Sequence, residues 1–562
     1  MVENFVRAES DSFFKTYAKG KGRELVSSYF GRMYAYEPQP WRAIECSCLS
    51  AAGRLRISGG AMNNQIKRRD FVKLAGAAGL AAATTAVGSG AVRNGNANAL
   101  SRRASLQFPD GFFWGVATAA YQIEGSPDAD GKGKSIWDVY SHIPGKMANN
   151  DTGDVAIDHY RRYKDDVKVM KDLGASAYRF SVSWPRVVPT GSGQLNQKGL
   201  DFYSRLVDEL LAAGIEPFPT LYHWDLPQAL QDKGGWQNRD TAKAFGEYAG
   251  YVAKGLGDRV KHYFTLNEFQ NFVDMGHRGV ELTVQGKPVK IELAPGLKLE
   301  PGALNQVAHH AVLAHGLGVQ AIRVSAAKGT KVGPAEVLFA AIPIIDTPEY
   351  VMAAETATRE LNARFIDVMQ TGKYQDSYLK SAGKDAPKFT DEEMRAIASP
   401  LDFIGVNIYV TKMYVVPSSE PPGYRQVPMN VSHPKMFSPW HTFSPEVMYW
   451  GPRLVNSLWK PKEIYITENG CAASDKMAPD GNVYDADRVM YLRNVMTQLH
   501  RATAEGVPVK GNFVWSAMDN LEWTGGYGTR FGLVYVDFKT QKRTPKLSAT
   551  WFREAARQNA VV

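Results

Sequence analysis

Cysteine is almost missing from this chain: Cys46, Cys48 and Cys471 are the three in 562 residues. The first two precede the segment read below as the mature domain, so Cys471 stands alone in it. That excludes an internal disulfide framework and any zinc spacing, and Cys46-Ser47-Cys48 is too short and isolated for a metal or redox site. An excess of positive charge is also missing from most of the chain. The formal net charge is +9, yet residues 1–99 hold 14 Lys and Arg against 7 Asp and Glu, leaving 52 against 50 in the rest. A basic leader on a nearly neutral body gives no general electrostatic case for nucleic-acid binding. No H-E-x-x-H pattern occurs; His309, His310 and His315 share a predicted helix with no carboxylate to complete a metal set, which predicts packing or capping roles. Gly525-Gly526-Tyr527-Gly528 lacks the strand-to-helix setting and downstream lysine of a phosphate loop. No metal or nucleotide cofactor is implied.

A long apolar run appears once, near the N-terminus. Lys67-Arg68-Arg69-Asp70-Phe71-Val72-Lys73 leads into an Ala/Gly-rich stretch, Leu74 to Val92, and then Ala97-Asn98-Ala99. A charged start, an apolar middle and a small-residue end make a secretory signal. The arginine pair resembles the twin-arginine export signal, which implies the twin-arginine export machinery as a partner. Gly76, Gly79, Gly88 and Gly90 make the middle too weakly hydrophobic for stable membrane insertion. Residues 62–99 are therefore read as a twin-arginine-type signal, cleaved after Ala99, with a periplasmic or extracellular destination. Residues 1–61 have no domain character and read as an over-extended or disordered N-terminus, Met62 standing where a signal begins. Residues 100–562 form one domain.

Within that domain apolar, β-branched runs alternate with amphipathic helical stretches. Expected strands are Phe112–Ala117, Ala177–Val182, Glu216–Tyr222, His262–Leu266, Lys331–Val337, Asp402–Ile408, Glu463–Thr467 and Gly511–Trp515. Expected helices between them include Tyr160–Leu173, Gly199–Ala213, Ala242–Leu256, Pro301–Val324, Pro348–Gln370 and Ala486–Glu505. Eight repeats without a linker predict an α/β fold, a single (β/α)8 TIM barrel with long βα loops, decorated by insertions near Leu282–Glu300 and Pro417–Ser444. Gln122, Arg179, His223, Glu268, Tyr409, Glu468 and Trp515 gather at the strand ends, where this architecture carries its chemistry.

Two of these strand ends are Thr-Leu-Asn-Glu (265–268) and Ile-Thr-Glu-Asn-Gly (466–470). Each delivers a glutamate, Glu268 or Glu468, beside an asparagine. A pair of carboxylates, one neutral and one ionised, is the equipment for cleaving a glycosidic bond.

Several separated motifs accompany them: Phe-Phe-Trp-Gly-Val-Ala-Thr-Ala-Ala-Tyr-Gln-Ile-Glu-Gly (112–125), Tyr-Arg-Phe-Ser-Val-Ser-Trp-Pro-Arg (178–186), Tyr-His-Trp-Asp-Leu-Pro (222–227), Asn-Ile-Tyr (407–409), Trp-Ser-Ala-Met-Asp-Asn-Leu-Glu-Trp (515–523) and Phe-Gly-Leu-Val-Tyr-Val-Asp-Phe (531–538). In this order, from about Phe108 to Ala556, the chain resembles the family 1 glycoside hydrolases, the retaining β-glucosidase family. The resemblance implies Glu268 as acid/base and Glu468 as nucleophile, with Arg179 and Tyr409 supporting the latter and Asn267 bonding the sugar 2-hydroxyl. It implies Gln122, His223, Asn267, Glu522 and Trp523 as contacts to a terminal sugar and Trp515 as the stacking floor. Glu522-Trp523 stands where the phosphosugar branch carries a phosphate clamp, so neutral β-glucosides or short oligosaccharides are the expected partners. Hydrolysis of galactosides or fucosides, transglycosylation, and a non-enzymatic sugar-binding barrel are the alternatives.

Three positions depart from the family pattern. Phe269 replaces a proline after Asn-Glu, and Leu521 replaces a phenylalanine before Glu522. The fifth strand, Val332-Gly333-Pro334-Ala335-Glu336-Val337, lacks the usual Leu-Asn ending. The last is expected to loosen support around Tyr409 or to reshape the leaving-group side.

Overall fold

The computed structural model describes residues 106–284 and 287–562. The expected signal and the extension before it lie outside the described residues. Eight parallel strands close into a barrel: β1 (Phe113–Ala117), β2 (Ala177–Ser181), β3 (Glu216–Tyr222), β4 (His262–Asn267), β5 (Lys331–Val337), β6 (Ile404–Asn407), β7 (Ile464–Asn469) and β8 (Val509–Trp515). All eight expected strands form, with ends displaced by up to two residues.

Alternation along these strands separates two environments. Side chains that face outward pack on the surrounding helices, while every second residue points into the barrel. At the lower level the inward positions hold Phe113, Phe218, Phe264, Phe403, Tyr465 and Phe513, a plug of aromatic rings. Phe218 meets Phe513 at 5.0 Å between centroids, and Phe403 meets Tyr465 at 5.1 Å. Gly115 makes room for this plug, since a Cβ there would lie 2.3 Å from the Phe513 ring. One step further along the same faces stand Arg179, Thr220, Asn407, Thr467 and Trp515. The plug is thus a dry floor beneath a polar layer.

The helices are α1 (His159–Asp172), α2 (Gln197–Ala213), α3 (Asp240–Leu256), α4 (Phe269–His277), α5 (Pro301–Ser325), α6 (Pro348–Leu361), α7 (Val447–Trp459), α8 (Ala486–Ala504) and α9 (Leu547–Gln558). Helix α2 stops at Gly214, whose φ of +78° allows the terminal backbone bonds to Leu210 and Leu211. The expected helix 348–370 breaks at Asn362, whose amide donates to Phe339 O and Thr358 O and diverts the chain into a wider turn, Ala363–Asp367. Three helices, α4, α7 and α9, are not among the expected segments named above. Helix α7 runs through Pro452, and α4 begins directly after Glu268, at the end of β4.

Both expected insertions contain strands rather than only loop. Val280–Val284 pairs with Lys287–Ile291, and Met413–Pro417 pairs with Tyr424–Val427 and with Ala341–Pro343. No helix among the described residues is long and apolar enough to cross a membrane. Cys471 is buried and free.

Candidate active site

Glu268 follows the last residue of β4, and Glu468 is the penultimate residue of β7. They are 5% and 4% exposed. Parallel strands in a closed barrel present all their C-terminal ends at one face, which brings these two together from 200 residues apart.

A continuous set of hydrogen bonds joins them. Arg179, reaching inward from β2 over the Phe264 ring, donates Nη1 to Glu468 Oε1 at 2.5 Å and Nη2 to Asn267 Oδ1 at 2.6 Å. Its Nε is anchored on Thr220 Oγ1 at 3.0 Å. Tyr409 OH donates to Glu468 Oε2 at 2.8 Å. Asn407 Nδ2 donates to Asn267 Oδ1 at 3.1 Å and to Glu268 Oε1 at 3.0 Å, while Thr467 Oγ1 holds the Asn407 carbonyl at 2.6 Å. Asn271 Nδ2 donates to the other Glu268 oxygen at 2.9 Å.

These bonds treat the two carboxylates differently. Burial raises the pKa of both. For Glu468 the rise is opposed by the Arg179 charge and by bonds from Arg179 and Tyr409. For Glu268 it is reinforced by the Glu468 charge, against weaker pulls from Asn407 and Asn271, and reaches about 7. Glu468 is therefore the group that ionises first, and Glu268 retains its proton near neutral pH.

Beside the pair lie several unpaired polar atoms. Gln122, in a short helix (Ala120–Ile123) after β1, uses its amide nitrogen on Asn520 and Leu521 and leaves Oε1 without a partner. His223 Nε2 meets the Asn267 amide nitrogen at 3.1 Å. Because Asn267 Oδ1 already accepts two bonds, Nδ2 is the donor and His223 Nε2 the acceptor, so the proton sits on Nδ1, which is unpartnered. Burial, aided by Arg179, holds this imidazole neutral. Glu522 Oε2 is also unpaired, and burial pushes that carboxyl up to about 8. Trp515 stacks against His223 at 5.6 Å, and Trp523 lies on its other neighbours, Trp224 and Trp137, at 4.6 Å each. These open donors and acceptors beside an aromatic face are of the kind that sugar hydroxyls can use.

All ten sequence-nominated residues thus come to one end of the barrel. Three others were missed: Asn407, Asn271 and Glu336. Asn407 lay inside a quoted motif, and its inward register two residues beyond Gly405 could have revealed it. Asn271 and Glu336 carry no motif. The expected weakness around Tyr409 is not found, since its bond to Glu468 is intact. The unusual fifth strand acts on the Glu268 side instead: Glu336, 1% exposed, accepts Phe269 N–H at 2.6 Å and Gln270 N–H at 3.0 Å. Leu521 keeps main-chain bonds to Gln122 in both directions.

The three histidines of α5 lie away from this site. Nδ1 of His309, His310 and His315 bonds to Tyr374 OH, Trp236 O and Thr265 Oγ1 respectively. Glu393 lies 3.5 Å from His309 Nε2 and is itself engaged by Arg239 and by Thr390 N–H.

A (β/α)8 barrel with paired buried glutamates at the C-terminal ends of β4 and β7 has the build of a glycoside hydrolase. The sequence profile of Glycosyl hydrolase family 1 matches residues 104–561. A 1,4-beta-D-glucan glucohydrolase of Thermotoga neapolitana is 44% identical over 457 residues, 81% of this chain and 99% of the relative. Beta-glucosidase A of Thermotoga maritima is 42% identical over 467 residues, again 81% and 99%. The solved structure of a beta-glucosidase from Thermotoga maritima in complex with glucoimidazole aligns with a TM-score of 0.72 and 42% identity, covering 81% of this chain and 100% of that one. The chain belongs to Glycosyl hydrolase family 1.

Proposed function

We propose that this protein is a retaining β-glucosidase that removes terminal non-reducing β-D-glucosyl residues from cellobiose-like, aryl or plant glycosides. The observation that carries the reading is the unequal treatment of two glutamates by one hydrogen-bond network. Glu468, held by Arg179 and Tyr409, is the carboxylate that attacks the anomeric carbon. Glu268 protonates the departing oxygen as the C–O bond breaks, giving a covalent glycosyl-enzyme and the free alcohol. Formation of that ester removes the Glu468 charge, which lowers the pKa of Glu268. Glu268 then takes a proton from water as its oxygen attacks the anomeric carbon, and Glu468 leaves. Two inversions give net retention.

The open atoms Gln122 Oε1, His223 Nδ1 and Glu522 Oε2 suit sugar hydroxyls, and the indole of Trp515 offers an apolar face for the ring. The relatives named β-glucosidase support glucose as the sugar. A panel of aryl β-glycosides tests this, with Glu268→Ala and Glu468→Ala as controls and azide as an external nucleophile. Fastest turnover of the glucoside is expected, with β-glucosyl azide from the first variant and α-glucosyl azide from the second. Full activity in both variants would overturn the mechanism.

Export is proposed on the pattern from Lys67 to Ala99. Exported protein should begin at Leu100, and Arg68→Lys with Arg69→Lys should retain the product inside the cell. An N-terminus well before Leu100 would count against cleavage there.

A further inference from the structure

Two of the positions at which this chain departs from its family meet in one contact. Glu268 has a φ of +48°, in the left-handed region, and starts helix α4 from there. Three successive N–H groups follow, and all three bond to two successive residues of β5. Glu268 N–H donates to Ala335 O at 2.8 Å, Phe269 N–H to Glu336 Oε2 at 2.6 Å and Gln270 N–H to Glu336 Oε1 at 3.0 Å. Proline at 269 would have no N–H to give; phenylalanine supplies the donor that this glutamate uses. Helix starts leave such groups unpaired, and here a fully buried carboxyl group from the next strand takes two of them at once.

We infer that Glu336 is a positioning residue for the acid/base, clamping the backbone of Phe269 and Gln270 so that the Glu268 carboxyl is held on the leaving-group side of the bond. The inference rests on the acid/base reading of Glu268. The conformation of Glu268 is one that a non-glycine residue adopts only when its surroundings enforce it. The enforcing contacts are those three β5 bonds, together with Asn407 and Asn271 on the side-chain oxygens. An amide at 336 could accept one N–H but would turn its own NH2 toward the other, so replacement by glutamine sets donor against donor. A displacement of about 1 Å at a proton-transferring group costs on the order of 100-fold in rate.

The chemistry provides a readout that general damage to the fold would not imitate. Departure of 2,4-dinitrophenolate needs little help from an acid, whereas departure of phenolate or of a sugar alkoxide needs a great deal. For Glu336→Gln, kcat/KM should fall at least tenfold on cellobiose and phenyl β-glucoside, and less than threefold on 2,4-dinitrophenyl β-glucoside. Glu336→Asp, which keeps the carboxylate but withdraws it by one methylene, should give a smaller loss with the same ordering. Rates are expressed per competent site, counted by stoichiometric trapping with a 2-deoxy-2-fluoro-glucoside, so loss of folded protein does not enter. An equal loss on all three substrates, or no loss on any, would overturn the role of Glu336. Failure of wild type to hydrolyse any β-glucoside would instead overturn the functional reading beneath it.

Discussion

Arg179 and Glu468 are 289 residues apart in sequence and 2.5 Å apart across the barrel mouth, on strands separated by two others in the closed sheet. The other arm of the same guanidinium holds Asn267, the residue before Glu268. One planar cation therefore ties the two halves of the site together; its charge favours the ionised form of both glutamates, and its direct bond goes to Glu468.

Replacing Arg179 by methionine should raise the pKa of Glu468, because burial would then act with one opposing charge fewer. Since Glu468 must be ionised to attack, activity is lost as pH falls through its pKa, and the acidic limb of kcat/KM should move to higher pH. The charge-assisted bond is worth about 1.5–3 kcal/mol, so the plateau should fall roughly 10- to 150-fold. A pH–rate profile on an aryl β-glucoside measures both.

Glu268 must be protonated in the first step, so kcat/KM should fall as pH rises through about 7. Trapping Glu468 as its 2-fluoroglucosyl ester removes the second-largest cause of that high value, burial being the first. The Glu268 pKa should then drop, as followed by carbon NMR of labelled glutamate. A titration unchanged by trapping would refute the electrostatic coupling.

Glu522→Ala and Gln122→Ala delete the open acceptor atoms Glu522 Oε2 and Gln122 Oε1. Losses of about 1–3 kcal/mol in transition-state binding are expected, or roughly 5- to 150-fold in kcat/KM. The ratio of glucoside to galactoside and fucoside turnover should change as well. Equal losses on all sugars would argue against a role in reading hydroxyl geometry.

Stability is expected to depend on a buried ion network behind β7 and β8. Lys546 Nζ lies 2.5 Å from Asp475 and 2.7 Å from Asp519; Arg488 holds Asp475 and Asp485; Arg530 holds Asp519. Removing one partner leaves buried charge uncompensated, so Lys546→Ala should cost about 3–5 kcal/mol in unfolding experiments. Burial alone would raise Asp475, but Arg488 and Lys546 overcome it and keep its pKa low. Its stabilising effect is thus present above the unfolded value, near 4, and is lost as pH falls further. Chemical denaturation between pH 7 and pH 3 should show that decline in wild type and less of it in the variant.

Sequence reasoning was most successful where one physical period dominates. Inward alternation along Ala177–Ser181 or Gly511–Trp515 is enforced by the pleat, so strand identity and the facing of Arg179 and Trp515 could be read directly. It did not place α4 or α7. Phe269 opens a helix because the backbone of Glu268 turns left-handed under contacts from β5, and α7 carries Pro452 through a tertiary environment that overrides local preference.

By itself the sequence determined the number of barrel strands, the nomination of Glu268 and Glu468, and most of the residues around them, because those follow from local periodicity and ordered motifs. The family resemblance already names Glu268 as the protonated partner and Glu468 as the charged one; the tertiary structure supplies the physical cause, burial of both with Arg179 from β2 and Tyr409 beyond β6 donating to Glu468. It alone joined Phe269 to Glu336, two departures that looked independent along the chain. Pairings of that kind are made by the closure of the sheet, which sets β4 beside β5, and no linear pattern encodes the distance between them.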